Sequence, residues 1–140
     1  MAGSAFVDTS GWYALIDRKD ARHARVVAGI RRFVEKRVTL VTSDYVVDES
    51  ATLLKARIGS HAALNLFAYL SEATSVEWEW VGSERFTKAQ SLFKKLGGQG
   101  HSFTDCTSLV IIQERQIEDV VTTDRHFKIQ GLRPLLRHAT

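Results

Sequence analysis

Short apolar runs alternate along this chain with longer segments of helical periodicity, and few folds accept that pattern. SAFVD (4–8) reads as a strand closing on Asp8, and TSGWYALID after it as a helix whose hydroxyl residues cap its start. Between Ala21 and Lys36, Val26, Val27, Ile30, Phe33 and Val34 recur at helical spacing among arginines, as on an amphipathic surface helix. VTLVT (38–42) predicts the second strand. Ser43 to Arg57 and His61 to Glu72 predict a helical hairpin broken at Gly59. In SVEWEWV, Val76, Trp78 and Trp80 alternate with Glu77 and Glu79, the period of a strand with one face more exposed, suited to a sheet edge. Ser83 to Leu96 reads as a further helix. Phe103 to Gln116 carries Leu109, Val110, Ile111 and Ile112 in succession, so it is a helix buried on most sides. DVVTT (119–123) predicts a strand, and Leu132, Leu135 and Leu136 suggest a last short one. Strands alternating with helices predict a mostly parallel sheet covered on both faces, a three-layer α/β/α sandwich.

Nothing divides the chain further. Its 140 residues suit one domain, 1–140, and a domain of that size buries enough surface to do without disulfide or metal staples. The one proline, Pro134, and the one glycine cluster, Gly97, Gly98 and Gly100, provide no linker; the cluster reads as a mobile loop. No segment repeats. Cys106 is alone, no basic and apolar leader opens the chain, and the longest aliphatic run is Leu109 to Ile112. These features speak against a secreted disulfide scaffold and a membrane span, and a cytoplasmic protein is expected.

In a parallel sheet, sites form beyond the carboxyl ends of the strands, and here those positions are acidic. Asp8 closes the first strand, Glu49 lies on the helix after the second, Asp105 sits in the first turn of the buried helix, and Asp124 follows VVTT. Their separations of 41, 56 and 19 residues form no linear motif, but a βαβ path returns each strand end to one edge. Clustered carboxylates repel, and a divalent cation relieves that repulsion. An all-oxygen set selects Mg²⁺ or Mn²⁺, while the scattered histidines and single cysteine supply no zinc site. Such a cation can hold a phosphate oxygen and activate water, which is the chemistry of a nuclease.

FVDTS at 6–10, DES at 48–50, FTDC at 103–106 and VTTDRHF at 121–127 resemble, in that order and over nearly the whole chain, the PIN-domain proteins, most closely small VapC-type toxins of bacterial toxin–antitoxin pairs. The resemblance implies a Mg²⁺- or Mn²⁺-dependent ribonuclease whose four acids are Asp8, Glu49, Asp105 and Asp124, leaving 5′-phosphate and 3′-hydroxyl products. It also implies a homodimer and a cognate antitoxin. Position and resemblance together assign Asp8 and Asp105 as direct metal ligands. Glu49 and Asp124 then act through water or a second, substrate-dependent ion. Thr9, Ser10, Thr104 and Thr122 are hydroxyl donors to the carboxylates or a phosphate, Ser10 and Thr122 foremost.

Each residue has a plainer reading. Asp105, three residues after Ser102, completes a capping box. Asp8 before Thr9 and Ser10 suits a turn with Asx-type hydrogen bonds, and Asp124 suits a turn in TTDRH. The helical wheel does not separate Glu49 from Asp48; the family pattern selects Glu49. The arginines between Arg18 and Arg37 read as the wet face of a helix. With 19 basic side chains against 16 acids, four of them in the proposed set, the remainder is more basic than the net charge of +3 shows. Lys55, Arg57, Arg85, Lys88, Lys94, Lys95 and Arg125 are therefore candidates for a rim that guides a phosphate backbone. Trp12, Trp78, Trp80, Tyr13 and Tyr45 are assigned to core or dimer interface.

Other functions fit less well. A phosphoaspartyl phosphatase needs a second Asp where Ser10 stands, a receiver needs an acidic pair and a late lysine, and the glycine-rich nucleotide-binding motifs are missing. A catalytically silent RNA-binding or interaction module of the same fold is the principal alternative.

Overall fold

Phe6 and Val7 on the first strand, Leu40 and Val41 on the second, and Val120 and Val121 on the fourth are all fully buried. Strands apolar at consecutive positions need cover on both faces, and that condition shapes the architecture. A computed structural model of the chain, in which residues 3–123 and 133–134 are described, places them at the centre of a five-stranded parallel sheet. The elements run β1 (Ser4–Val7), α1 (Thr9–Ile16), α2 (His23–Glu35), β2 (Thr39–Ser43), α3 (Asp44–Arg57), α4 (Ser60–Glu72), β3 (Val76–Glu79), α5 (Gly82–Leu96), α6 (Phe103–Arg115), β4 (Asp119–Val121) and β5 (Arg133–Pro134). Strand order is β3-β2-β1-β4-β5, with six helices flanking the sheet as the expected three-layer α/β/α sandwich.

The path runs outward from β1 through β2 to β3, then returns to the other side of β1 for β4 and β5. Phe6 is level with Val41 on one side and Val120 on the other. β1 is thus the strand at which the order reverses, the point where parallel sheets open a crevice beyond their carboxyl ends. Asp8 is the first residue past it.

Several local expectations shift. The hydroxyls of Thr9 and Ser10 do not cap α1; Asp8 occupies the cap position, and its side chain makes no capping hydrogen bond, so the Asx-turn reading of Asp8 fails. Ser43 ends β2 and caps α3 by accepting from the Val46 amide (3.1 Å). The glycine cluster begins with a single 3-10 turn, Gly97–Gln99. Val34, expected on the apolar face of α2, is 42% exposed. β3 is an edge strand, but Trp78 and Trp80 are exposed and stacked (centroids 5.6 Å apart), while Glu79 between them is half-buried against Arg85 and Arg115. The last strand is Arg133–Pro134, at the other edge, where a residue without an N–H disrupts no ladder. Leu132, Leu135 and Leu136 lie outside the described residues.

Trp12, fully buried, joins α1 to β2 by donating from Nε1 to the Thr42 hydroxyl (2.9 Å). α6 buries Leu109 to Ile112 as expected, together with Cys106, Thr107 and Ser108. Gly59, at φ +144°, makes the bend between α3 and α4.

Gly11 sets how closely α1 approaches the sheet. A Cβ there would lie 2.5 Å from the Val121 carbonyl oxygen and 2.9 Å from methyls of Val121 and Val7. Because backbone is among the obstacles, Gly11→Ala is expected to lower stability by about 3 kcal/mol, at the upper end of overpacking costs. Urea unfolding midpoints of the variant and wild type check this; equal midpoints would show that α1 can retreat freely.

Candidate functional site

The end of β1 delivers Asp8 into a buried position: its residue is 5% exposed, and its backbone amide donates to the Val121 carbonyl (3.2 Å). A relay of donors meets its carboxylate. The Thr123 amide donates to the Ser10 hydroxyl (2.9 Å), Ser10 and Thr122 share a hydrogen bond (3.2 Å), and Thr122 donates to Asp8 Oδ2 (3.0 Å). Since the one Thr122 proton goes to Asp8, Ser10 is the donor to Thr122. The other oxygen, Asp8 Oδ1, is buried with no hydrogen-bond partner among the described residues.

Glu49 stands on α3, half-buried, and its Oε1 accepts from the Thr9 hydroxyl (2.6 Å). The two hydroxyls that follow Asp8 thus reach sideways, Thr9 to α3 and Ser10 to the end of β4. Asp105 stands in the first turn of α6 and completes the capping box: the Ser102 hydroxyl accepts from the Asp105 amide (3.0 Å), and Asp105 Oδ2 accepts from the Ser102 amide (2.9 Å). The capping arrangement is therefore present, and it fixes the direction of the Asp105 carboxylate. Thr104 enters through its carbonyl, which accepts from Thr107 (2.6 Å). Asp124 lies outside the described residues.

The electrostatics draw three acids into one site. Burial, then the charge of Asp105, and to a lesser extent that of Glu49, push the Asp8 carboxyl from 3.8 up to about 7, against the lowering effect of hydrogen bonds from the Thr9 backbone and Thr122. Asp8, Glu49 and Asp105 are separated by 41 and 56 residues, and the strand order collects them. Among the described residues no three metal-binding side chains are close enough to form a ready-made cage. The chemistry nonetheless fits a hard divalent cation: an orphaned buried carboxylate oxygen, other carboxylates repelling it, and oxygen donors throughout.

The crevice over Asp8 holds about 260 Å³ and is also lined by Thr9, Ser10, Tyr13, Arg22 and Arg57. Spacing from Asp8 does not reveal Arg57 as a wall residue. The available signal is the helical stripe Glu49, Leu53, Arg57 on one face of α3.

The family model for the PIN domain matches residues 5–131. The chain is 32% identical over 126 residues to the 23S rRNA-specific endonuclease VapC20 of Mycobacterium tuberculosis, covering 90% of this chain and 93% of the relative. It is 30% identical to the ribonuclease VapC26 of the same organism, covering 92% of each. The crystal structure of VapC20, described as a Sarcin-Ricin loop cleaving toxin, superposes with a TM-score of 0.80 over 91% of this chain and 95% of that one. VapBC2 from Rickettsia felis, solved bound to a DNA fragment from its promoter, gives a TM-score of 0.68 over 94% of this chain and 96% of that one, at 13% identity, and shows the shared fold.

An acid with a raised native pKa holds a proton that the unfolded chain has already released, so stability falls as pH climbs from 3.8 through about 7. In metal-free protein the loss should total roughly 4 kcal/mol, and Asp8→Asn should remove most of it. Urea midpoints at about pH 5 and about pH 8 read the part of that loss falling between them, roughly 3 kcal/mol; a wild type equally stable at both would contradict the buried, unrelieved charge.

Proposed function

The chain belongs to the PIN domain family, and on that premise we propose that it is a Mg²⁺- or Mn²⁺-dependent endoribonuclease, the toxin of a toxin–antitoxin pair. The observation that carries this reading is the buried Asp8 carboxylate, one oxygen unpartnered, facing the charges of Asp105 and Glu49 at the switch point of the sheet. The names of VapC20 and VapC26 as nucleases support RNA as the substrate class.

Asp8 and Asp105 would hold the cation, with Asp124 completing the acidic set. When bound, the ion supplies positive charge against the scissile phosphate and acidifies a water for attack at phosphorus. The protein's own groups do the positioning. Thr122, itself held by Ser10, fixes Oδ2 of Asp8. Thr9 occupies Oε1 of Glu49, leaving Oε2 to accept a proton from the attacking water. The Ser102 box fixes the Asp105 carboxylate through its Oδ2.

A homodimer and a bound antitoxin belong to the same reading. Leu64 and Phe67 on α4 and Phe86 and Phe93 on α5 are exposed apolar side chains of the kind such partners cover. Among the described residues no helix is long and apolar enough to cross a membrane.

Partner-free protein incubated with a structured RNA mixture should cleave it with Mg²⁺ or Mn²⁺ and not with EDTA, and Asp8→Asn should abolish cleavage. Thr122→Val keeps the shape and deletes the donor to Asp8; it should cost about 10- to 100-fold in activity. Mg²⁺ should also raise the wild-type melting temperature and leave that of Asp8→Asn unchanged. Folded wild type that neither cleaves RNA nor responds to Mg²⁺ would instead favour the catalytically silent RNA-binding module.

A further inference from the structure

The structure separates the rim candidates Arg57, Arg85 and Lys88, and adds to them Arg18 and Lys19, which by sequence read as the wet face of a helix. Arg85 is taken up by Glu79 (3.0 Å) and Glu114 (2.9 Å), Lys88 by Glu114 (3.6 Å), and Arg115 by Glu79 (2.7 Å) and Glu77 (3.3 Å). Those charges are spent within the protein. Arg18, Lys19 and Arg57 form no ion pair with a described residue, and all three are exposed. They line a single open cavity of about 590 Å³.

That cavity adjoins the acidic crevice. The two share Tyr13 and Arg57 in their walls, which places Asp8 on one side of that pair and Arg18 and Lys19 on the other. Arg57 marks the boundary. It ends α3 two turns beyond Glu49 on the same stripe, about 12 Å along the helix axis. Its guanidinium lies over the Tyr13 ring, 5.3 Å from the centroid, which restrains a long side chain that would otherwise sample many rotamers. Asp17, the one carboxylate in the cavity wall, accepts from the Lys19 amide (3.0 Å), and among the described residues it forms no ion pair with the Lys19 ammonium.

We propose that this groove is a phosphate-binding track for the RNA strand on one side of the cut: Arg57 holds the backbone phosphate adjacent to the scissile one, and Arg18 and Lys19 hold phosphates beyond it. The inference rests on the nuclease reading and adds to it a length requirement on one side of the cut. The carboxylates at the site repel a polyanion, and Arg57, which shares the crevice with Asp8, together with Arg18 and Lys19 beyond it, offsets that repulsion. Contacts of this kind bind substrate and transition state alike, so their loss raises KM and leaves kcat largely in place. RNA shortened from the track side loses affinity, and RNA shortened from the other side does not.

The test measures binding of a fluorescein-labelled single-stranded RNA across a KCl series, with Asp8→Asn as the uncleaving background, and cleavage kinetics in the unblocked protein. Each phosphate contact contributes about 0.7 to the slope of log affinity against log salt for a single strand, so Arg57→Gln should flatten the slope by about 0.7 and the triple Arg18→Gln, Lys19→Gln, Arg57→Gln by about 2. Arg57→Lys should restore the slope. Arg25→Gln, Arg31→Gln, Arg32→Gln on the exposed face of α2 changes net charge equally and should leave the slope unaltered; an equal flattening there would reduce the effect to overall charge and overturn the track. Unchanged slope and KM in Arg57→Gln, in a protein that cleaves RNA, overturns the track and leaves the nuclease standing. A flattened slope in a protein that never cleaves sustains the track and removes the nuclease.

Discussion

The close contact between the first turn of α1 and the end of β4 governs the molecule. Gly11 leaves no room for a side chain against the Val121 carbonyl, and the Asp8 amide donates to that same oxygen. The helix is therefore seated directly on the strand across the switch point. From that seating follow the reach of Ser10 to Thr122 and Thr123, the burial of Trp12 with its bond to Thr42, and the depth of Asp8. A wider gap would admit water to Asp8 and relieve the burial that raises its pKa.

Stability and chemistry pull against each other at this point. A carboxylate without a counter-charge costs the folded state free energy at neutral pH, and a hydrophobic residue of similar size at Asp8 would be the more stable choice. The surrounding fold carries that cost through the fully buried strands β1, β2 and β4. A site strained in this way gains more from a bound cation than a well-compensated one would, because binding removes a repulsion as well as adding attraction.

What the sequence discloses here depends on the range of the physics involved. The central strands are legible because both faces are covered, so Phe6–Val7, Leu40–Val41 and Val120–Val121 read as uninterrupted apolar pairs. Asp8 is legible as a candidate because it ends the first of them. The hydroxyls after it are legible as site donors but not as non-caps: local propensity favours capping, whereas tertiary partners 40 and 112 residues away claim Thr9 and Ser10. The β3 tryptophans illustrate another limit. Alternation identifies two faces but not which one is wet, and Arg85 and Arg115 draw Glu79 inward. Arg57 is legible as one of seven rim candidates, and its place beside Asp8 follows only once Glu49 is located, since the stripe through Leu53 has no meaning until one of its members has a role.

α6 is held at both ends. The Ser102–Asp105 box fixes its first turn, and its last turn is tied through Glu114 to Arg85 and through Arg115 to Glu77 and Glu79. One such surface pair adds little stability, but restraints at opposite ends of a rod remove its freedom to slide. Asp105 rides on that rod, and Asp8 stands on the seated turn opposite. The two carboxylates are thus carried by elements that are each fixed in place, so neither is free to swing toward or away from the other with its backbone.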